Sequence, residues 1–159
     1  MNKKLKIGID FHGVIDSNFE FFKSFSELAL SHGHEIYVIT GGEAQKIEVS
    51  LQTHYVKFSH IYSLYDYFKE KNMLEILEDG RFWVAQEYWN PHKAEYCLEK
   101  GIDIHIDDNV EYLRDFKTTS CLYDKIKTEC VCSNHIKIDF SQSPEKFLDE
   151  IEKYCLFNN

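Results

Sequence analysis

Three short apolar runs, each stopping on a polar side chain, constrain this chain more than any other feature of its sequence. Leu5 to Asp10 ends on an acid, Glu35 to Thr40 ends on a hydroxyl, and Ile102 to Ile106 runs into the paired acids Asp107 and Asp108. Leu5 to Asp10 shows no polar alternation, the pattern of a strand covered on both faces inside a parallel sheet. Parallel strands need crossover segments, and the sequence supplies helical ones. Phe19 to Leu30 places Phe21, Phe22, Phe25, Leu28 and Leu30 at helical spacing with Gly33 as a stop. A polar helix from about Glu43 to Leu51 follows the Gly41-Gly42 break.

Further along, Phe58 to Ser63 is predicted as a third strand and Leu64 to Leu77 as a helix. Asp79-Gly80 marks a turn, Arg81 to Ala85 is a brief strand or a loop, and Asn90-Pro91 opens a helix that runs to Lys100. Val110 to Phe116 is predicted helical, Thr119 to Tyr123 and Ile136 to Phe140 as strands, and Ser143-Pro144-Glu145 starts a helix through Tyr154. Strands alternating with helices predict an α/β fold, a doubly wound, Rossmann-like parallel sheet flanked by helices. One compact domain over residues 1–159 is expected, with at most a small lid or insert within 64–90. Ligands of such sheets bind beyond the carboxyl ends of the strands, where Asp10, Thr40 and Asp107 stand.

Composition narrows the function classes. Hydrophobic residues make up 43% of the chain, with seven Gly and two Pro, a globular balance. The net charge of −9 argues against coating nucleic acid, which needs Lys and Arg to neutralise phosphates. The basic N-terminus is followed too soon by Asp10 and His12 for a signal peptide, and no run approaches the ~20 apolar residues of a membrane span. A cytoplasmic protein with a small ligand and no membrane association is the expectation. The five cysteines, an odd number in a reducing compartment, are expected to be mostly plain thiols. The sequence gives no sign of oligomeric state.

Singly, Asp10, Thr40 and Lys93 have ordinary roles as caps or solvated charges. Their order in the chain points further. Ile7 to Asp16 (IGIDFHGVID), Val38 to Gly42 (VITGG), Lys93, and Ile104 to Asn109 (IHIDDN) together resemble the four motifs of the haloacid dehalogenase-like phosphohydrolases, in order, across residues 5 to about 125. The resemblance implies a magnesium-dependent phosphatase, a phosphoric monoester hydrolase. In it Asp10 attacks phosphorus to give an aspartyl-phosphate. It implies Mg²⁺ on Asp10, the backbone carbonyl of His12, and Asp107 or Asp108. It also implies that Thr40, Gly41, Gly42 and Lys93 bind the phosphoryl group, with Thr40 and Lys93 assisting catalysis. A small phosphorylated substrate is implied, such as a nucleotide or sugar phosphate.

The departure is His12, where hydrolases of that family carry a second aspartate as acid and base. Imidazole also does such work, with an ordinary pKa of roughly 6.5. The alternative is a phosphate-binding or regulatory protein impaired in turnover.

About 25 residues separate the first two motifs, room for a helix and not for a cap domain, whereas roughly 50 separate the second from Lys93. The latter stretch holds Tyr62, Tyr65, Tyr67, Phe68, Phe82, Trp83, Tyr88 and Trp89, for which ordinary packing is the simpler role and stacking on a substrate ring the sharper one. Cys130 and Cys132 with His135 lack zinc spacing. His105, alternating with Ile104 and Ile106, is expected as a hydrogen-bonded core histidine and Cys97 as a buried thiol.

Overall fold

The first apolar run becomes β1, Lys6–Ile9, and the second becomes β2, Glu35–Thr40, paired in parallel with Ile7 opposite Ile36. Between them α1, Phe19–Ser31, is opened by Asn18, whose side chain accepts the Phe21 N–H at 3.1 Å. Its Phe22 and Phe25 are fully buried, each contributing about 1.5–3 kcal/mol by leaving water. The computed structural model describes residues 3–127, 129–133, 137–139 and 141–157.

The remaining elements are α2 (Ala44–Thr53), β3 (His60–Ser63), α3 (Leu64–Glu70), β4 (Glu75–Ile76), β5 (Phe82–Trp83), α4 (Gln86–Lys100), β6 (Ile104–Asp107), α5 (Val110–Leu113), β7 (Thr119–Asp124), β8 (Glu129–Cys132), β9 (Lys137–Asp139) and α6 (Pro144–Phe157). The main sheet runs β3-β2-β1-β6-β7-β8-β9, with the first five strands parallel and the last two antiparallel. The fold is therefore α/β with a mostly parallel sheet, in one domain. β1 lies between β2 on one side and β6 on the other, so the chain reverses its direction of growth there and opens a crevice at that end.

The pleat sorts the core into two layers. Ile7, Ile9, Ile36, Val38, Ile104 and Ile106 face α1, α2 and α6. Tyr37 and Ile39 face the other way, toward α3 and α4 with Leu64, Phe68, Tyr96 and Cys97. Helices thus cover both faces, which is why β1 and β2 lack a polar side, while the second face of β6 carries His105 and Asp107, both fully buried.

Several elements depart from expectation. The helix expected over 64–77 stops at Glu70, because Asn72 takes a left-handed φ of 54° and Met73 N–H turns back to the Phe68 carbonyl. The stretch after it forms a two-stranded hairpin, β4 with β5, outside the main sheet. α4 begins at Gln86, not at Asn90-Pro91, leaving Pro91 inside the helix. Its first turn is held by Trp89, which donates Nε1–H to the Tyr112 hydroxyl at 3.1 Å and packs on Phe68, and this packing outweighs the bond that Pro91 cannot donate. β8 has no counterpart in the sequence reading. It sets Cys132 opposite Cys121 on β7, and the two are joined by a disulfide, which corrects the expectation of plain thiols for that pair. Cys97, Cys130 and Cys155 are free and buried. Among the described residues no helix is long and apolar enough to cross a membrane.

Candidate functional site

Asp10 follows β1 directly and Asp107 ends β6, and the Asp10 N–H donates to the Ile106 carbonyl at 2.8 Å, so the two carboxylates share one end of the sheet. On β6, Ile104 and Ile106 face one layer, so His105 and Asp107 face the other, where α4 packs. Lys93, two turns into α4, therefore points at them from within the protein, with only 1% of its surface exposed. Its Nζ donates to Asp10 Oδ1 at 2.9 Å and to Asp107 Oδ2 at 2.7 Å, and lies 4.8 Å from the centre of the Tyr112 ring.

The charges are set by these contacts. Burial opposes the Lys93 charge, but Asp10 and Asp107 outweigh it and hold the ammonium well above its ordinary range. Burial likewise opposes ionisation of Asp107, yet the His105 and Lys93 contacts pull it down to about 2. Its Oδ1 accepts the Asn109 N–H at 2.9 Å and its Oδ2 accepts from both Lys93 and His105. Asp10 has fewer partners: burial, with Asp107 and Asp108 adding to it against the pull of Lys93, raises it to about 7. Burial and then Asp107 raise Asp108 as well.

Asp108 lies in the open part of the crevice, against Gly13. That glycine has φ of 81°, and a Cβ there would collide with the Asp108 carboxylate. A cleft of about 330 Å³ is lined by Asp10, His12, Gly13, Gly41, Lys93, Asp108, Asn109 and Tyr112. Thr40 is brought to the same end of the sheet but is fully buried, its Oγ1 accepting the Gly42 N–H at 3.1 Å, and it does not line the cleft. Asp107 sits beneath the cleft floor and Gly42 lines the neighbouring cavity.

His12 is exposed on the rim. Its Nδ1 lies 3.2 Å from Asp16 Oδ2, while Asp16 Oδ1 accepts the Gly13 N–H at 2.7 Å. With Nδ1 turned to Asp16, Nε2 points toward Gly42, where a Cβ would stand 3.2 Å from it. The carboxylate thus orients the ring and leaves one nitrogen facing the crevice.

Carboxylate oxygens of Asp10, Asp107 and Asp108 lie within 4.8 Å of one another, close enough to share one ion. Among the described residues no hydrogen bond reaches the His12 carbonyl, whereas those of Asp10 and Phe11 accept from Ile15 and Asp16. This all-oxygen donor set suits a hard divalent cation such as Mg²⁺. A second grouping, His32, His34 and Glu152, has a different use. His34 Nδ1 accepts the Leu5 N–H at 3.0 Å, so Nε2 carries the proton that bonds Glu152 at 2.7 Å, and neither nitrogen has a lone pair left for a metal.

Four participants escaped the sequence reading. His105 was expected as a bonded core histidine, but not as the partner of Asp107, although residues two apart on a strand share a face. Asp16, four residues beyond His12, ends the first motif with no role implied for it. Tyr112 and Asn109 close the cleft from the segment after β6. His92 is a core residue bonded to the Tyr62 hydroxyl at 2.7 Å. Cys132 is engaged with Cys121, and His135 lies outside the described residues. No protein-family model and no curated protein matches the sequence.

Proposed function

We propose that this chain is a magnesium-dependent phosphohydrolase of the haloacid dehalogenase-like kind, acting on small phosphomonoesters through Asp10. The observation that carries the reading is the buried Lys93 ammonium bridging Asp10 and Asp107 at a strand-end crevice, with Asp108 open to it. A structural ion pair has no need of a third carboxylate, a glycine kept clear for it, and an oriented imidazole on the rim.

In this reading Asp10 Oδ1 is held by Lys93 and its other oxygen attacks phosphorus, forming the acyl-phosphate bond as the ester P–O bond breaks. His12 Nε2 gives a proton to the departing alkoxide and takes one back from the water that then cleaves the acyl-phosphate. Lys93 keeps the intermediate's charge compensated in a dry pocket. Asp10, Asp108, the His12 carbonyl and Asp107 would hold Mg²⁺, which when bound offsets carboxylate charge and polarises phosphoryl oxygens. Burial raises the metal-free Asp10 carboxyl to about 7, and a bound cation would favour the ionised form that attacks.

Thermal shift of wild type and Asp10→Asn, with Mg²⁺ and with Mg²⁺ plus beryllofluoride, tests this without a known substrate. Beryllofluoride mimics the aspartyl-phosphate and is expected to raise the Tm of wild type only. No response of either protein to metal or mimic would sink the phosphotransfer reading.

A further inference from the structure

Beside the carboxylate cleft lies a second cavity of about 410 Å³ between α2 and the β4–β5 hairpin. Phe11, Ile47, Tyr65, Ile76 and Phe82 make its walls, and His12 is the residue it shares with the cleft. Gly41 lines one cavity and Gly42 the other, so a ligand passes from cleft to cavity across the Gly-Gly turn and the His12 ring.

We infer that this cavity is the leaving-group subsite, and that it takes a flat, largely apolar alcohol such as an aryl group or a nucleoside. The inference rests on the phosphohydrolase reading above. A phosphoryl group at Asp10 has its ester oxygen on the side of the group that protonates it, so the organic part must continue past His12. The carboxylate and ammonium on the cavity wall, Glu43 and Lys46, pair with each other at 2.6 Å, leaving neither uncompensated for a second anion. Ile76 and Phe82 are exposed by 57% and 38%, apolar surface that a bound ring would cover. The Tyr65 and Phe82 rings meet edge to face at 5.0 Å, a corner suited to a third aromatic ring.

A competing cavity of about 280 Å³ lies across the hairpin, contains Trp83, and shares Tyr112 with the cleft and Phe82 with the first cavity, so Ile76 is the hairpin side chain that marks the first cavity alone. It lacks contact with His12, which is why the first cavity is preferred.

The test uses Asp10→Asn protein with Mg²⁺, titrated calorimetrically with inorganic phosphate, glycerol 1-phosphate, phenyl phosphate and adenosine 5′-monophosphate. The two ring-bearing esters are expected to bind about tenfold or more tighter than the other two. Phe82→Ala and Ile76→Gln, each on the exposed hairpin, are expected to remove most of that gain, leave inorganic phosphate within about twofold, and spare the fold. Trp83→Ala is expected to change neither. Equal binding of all four ligands overturns the subsite, and so does loss of the ring's advantage in Trp83→Ala rather than Ile76→Gln. If inorganic phosphate does not bind but the ring esters do, in an Ile76-dependent way, the cavity stands and the phosphate site fails. If nothing binds, both are overturned.

Discussion

Gly8 on β1 and His105 on β6 meet side by side across the sheet, so close that a Cβ on Gly8 would stand 2.7 Å from His105 Nδ1. The imidazole is fully buried, stacks on Phe116 at 5.1 Å, and bonds Asp107 Oδ2 at 3.1 Å. Burial keeps its pKa below the ordinary histidine value, so the ring is neutral and donates Nε2–H to the carboxylate. Gly8→Ala should therefore push the ring and cost about 1–3 kcal/mol in urea denaturation. In a Gly8→Ala/His105→Ala double variant the two costs should fall well short of their sum, because the clash is gone. Strict additivity would mean that Gly8 is not there to make room for His105.

Among the described residues Lys93 is the only Lys or Arg paired with Asp10 and Asp107, and its removal exposes their repulsion. Lys93→Met should destabilise the metal-free protein by about 3–5 kcal/mol at pH 7.5. Lowering the pH lets a carboxyl protonate, so the deficit should shrink toward pH 5. Mg²⁺ should also recover part of it. A loss below about 1 kcal/mol at pH 7.5 would mean that water, not Lys93, screens the pair.

Asp10 gives a pH signature of its own. Its folded pKa of about 7 stands above the ordinary 3.8, so between those values the unfolded chain releases a proton that the folded chain keeps. Metal-free stability contributed by this group is thus fully present below pH 4 and declines as pH rises to 7, by on the order of 3–4 kcal/mol. Asp107, pulled down, acts oppositely but only between about 2 and 3.8, below that window. Asp10→Asn should therefore gain on wild type steadily from pH 4 to 7 and then plateau, as followed by denaturant midpoints. A difference that does not change with pH would show that Asp10 ionises freely in the fold.

What the sequence made legible follows from what lies along one dimension. Asp10, Thr40 and Asp107 could be placed because each ends an apolar strand, and a parallel sheet puts all such ends on one side. Lys93 is legible only through its place between the second and fourth motifs, since Pro91 points to a helix start five residues late. The second strand of the hairpin is legible in the brief strand or loop expected over Arg81 to Ala85, but the first is hidden because Leu64 to Leu77 keeps helical spacing past the point where Asn72 ends the helix. β8 has only four residues, two of them cysteines, and is a strand because β7 and β9 flank it. The burial of Thr40 away from the cleft also depends on how the chain turns at Gly41-Gly42, a tertiary matter that no local pattern carries.

His12 decides whether the assembled groups turn over. Asp16 holds Nδ1, so the crevice-facing Nε2 is the nitrogen that can exchange a proton with a leaving oxygen or a water. Ordinary imidazole and carboxyl groups differ by about two to three pH units, so His12→Asp should move one limb of the kcat/KM profile on phenyl phosphate downward by a comparable interval. His12→Asn, which can neither give nor take the proton, should lose about 10²–10⁴-fold in rate while keeping beryllofluoride-dependent stabilisation, since Asp10 and Lys93 are untouched. Asp16→Asn should fall between, because the ring loses its orienting partner but keeps its proton chemistry. A profile identical in wild type and His12→Asp would leave the rim histidine without a part in the reaction.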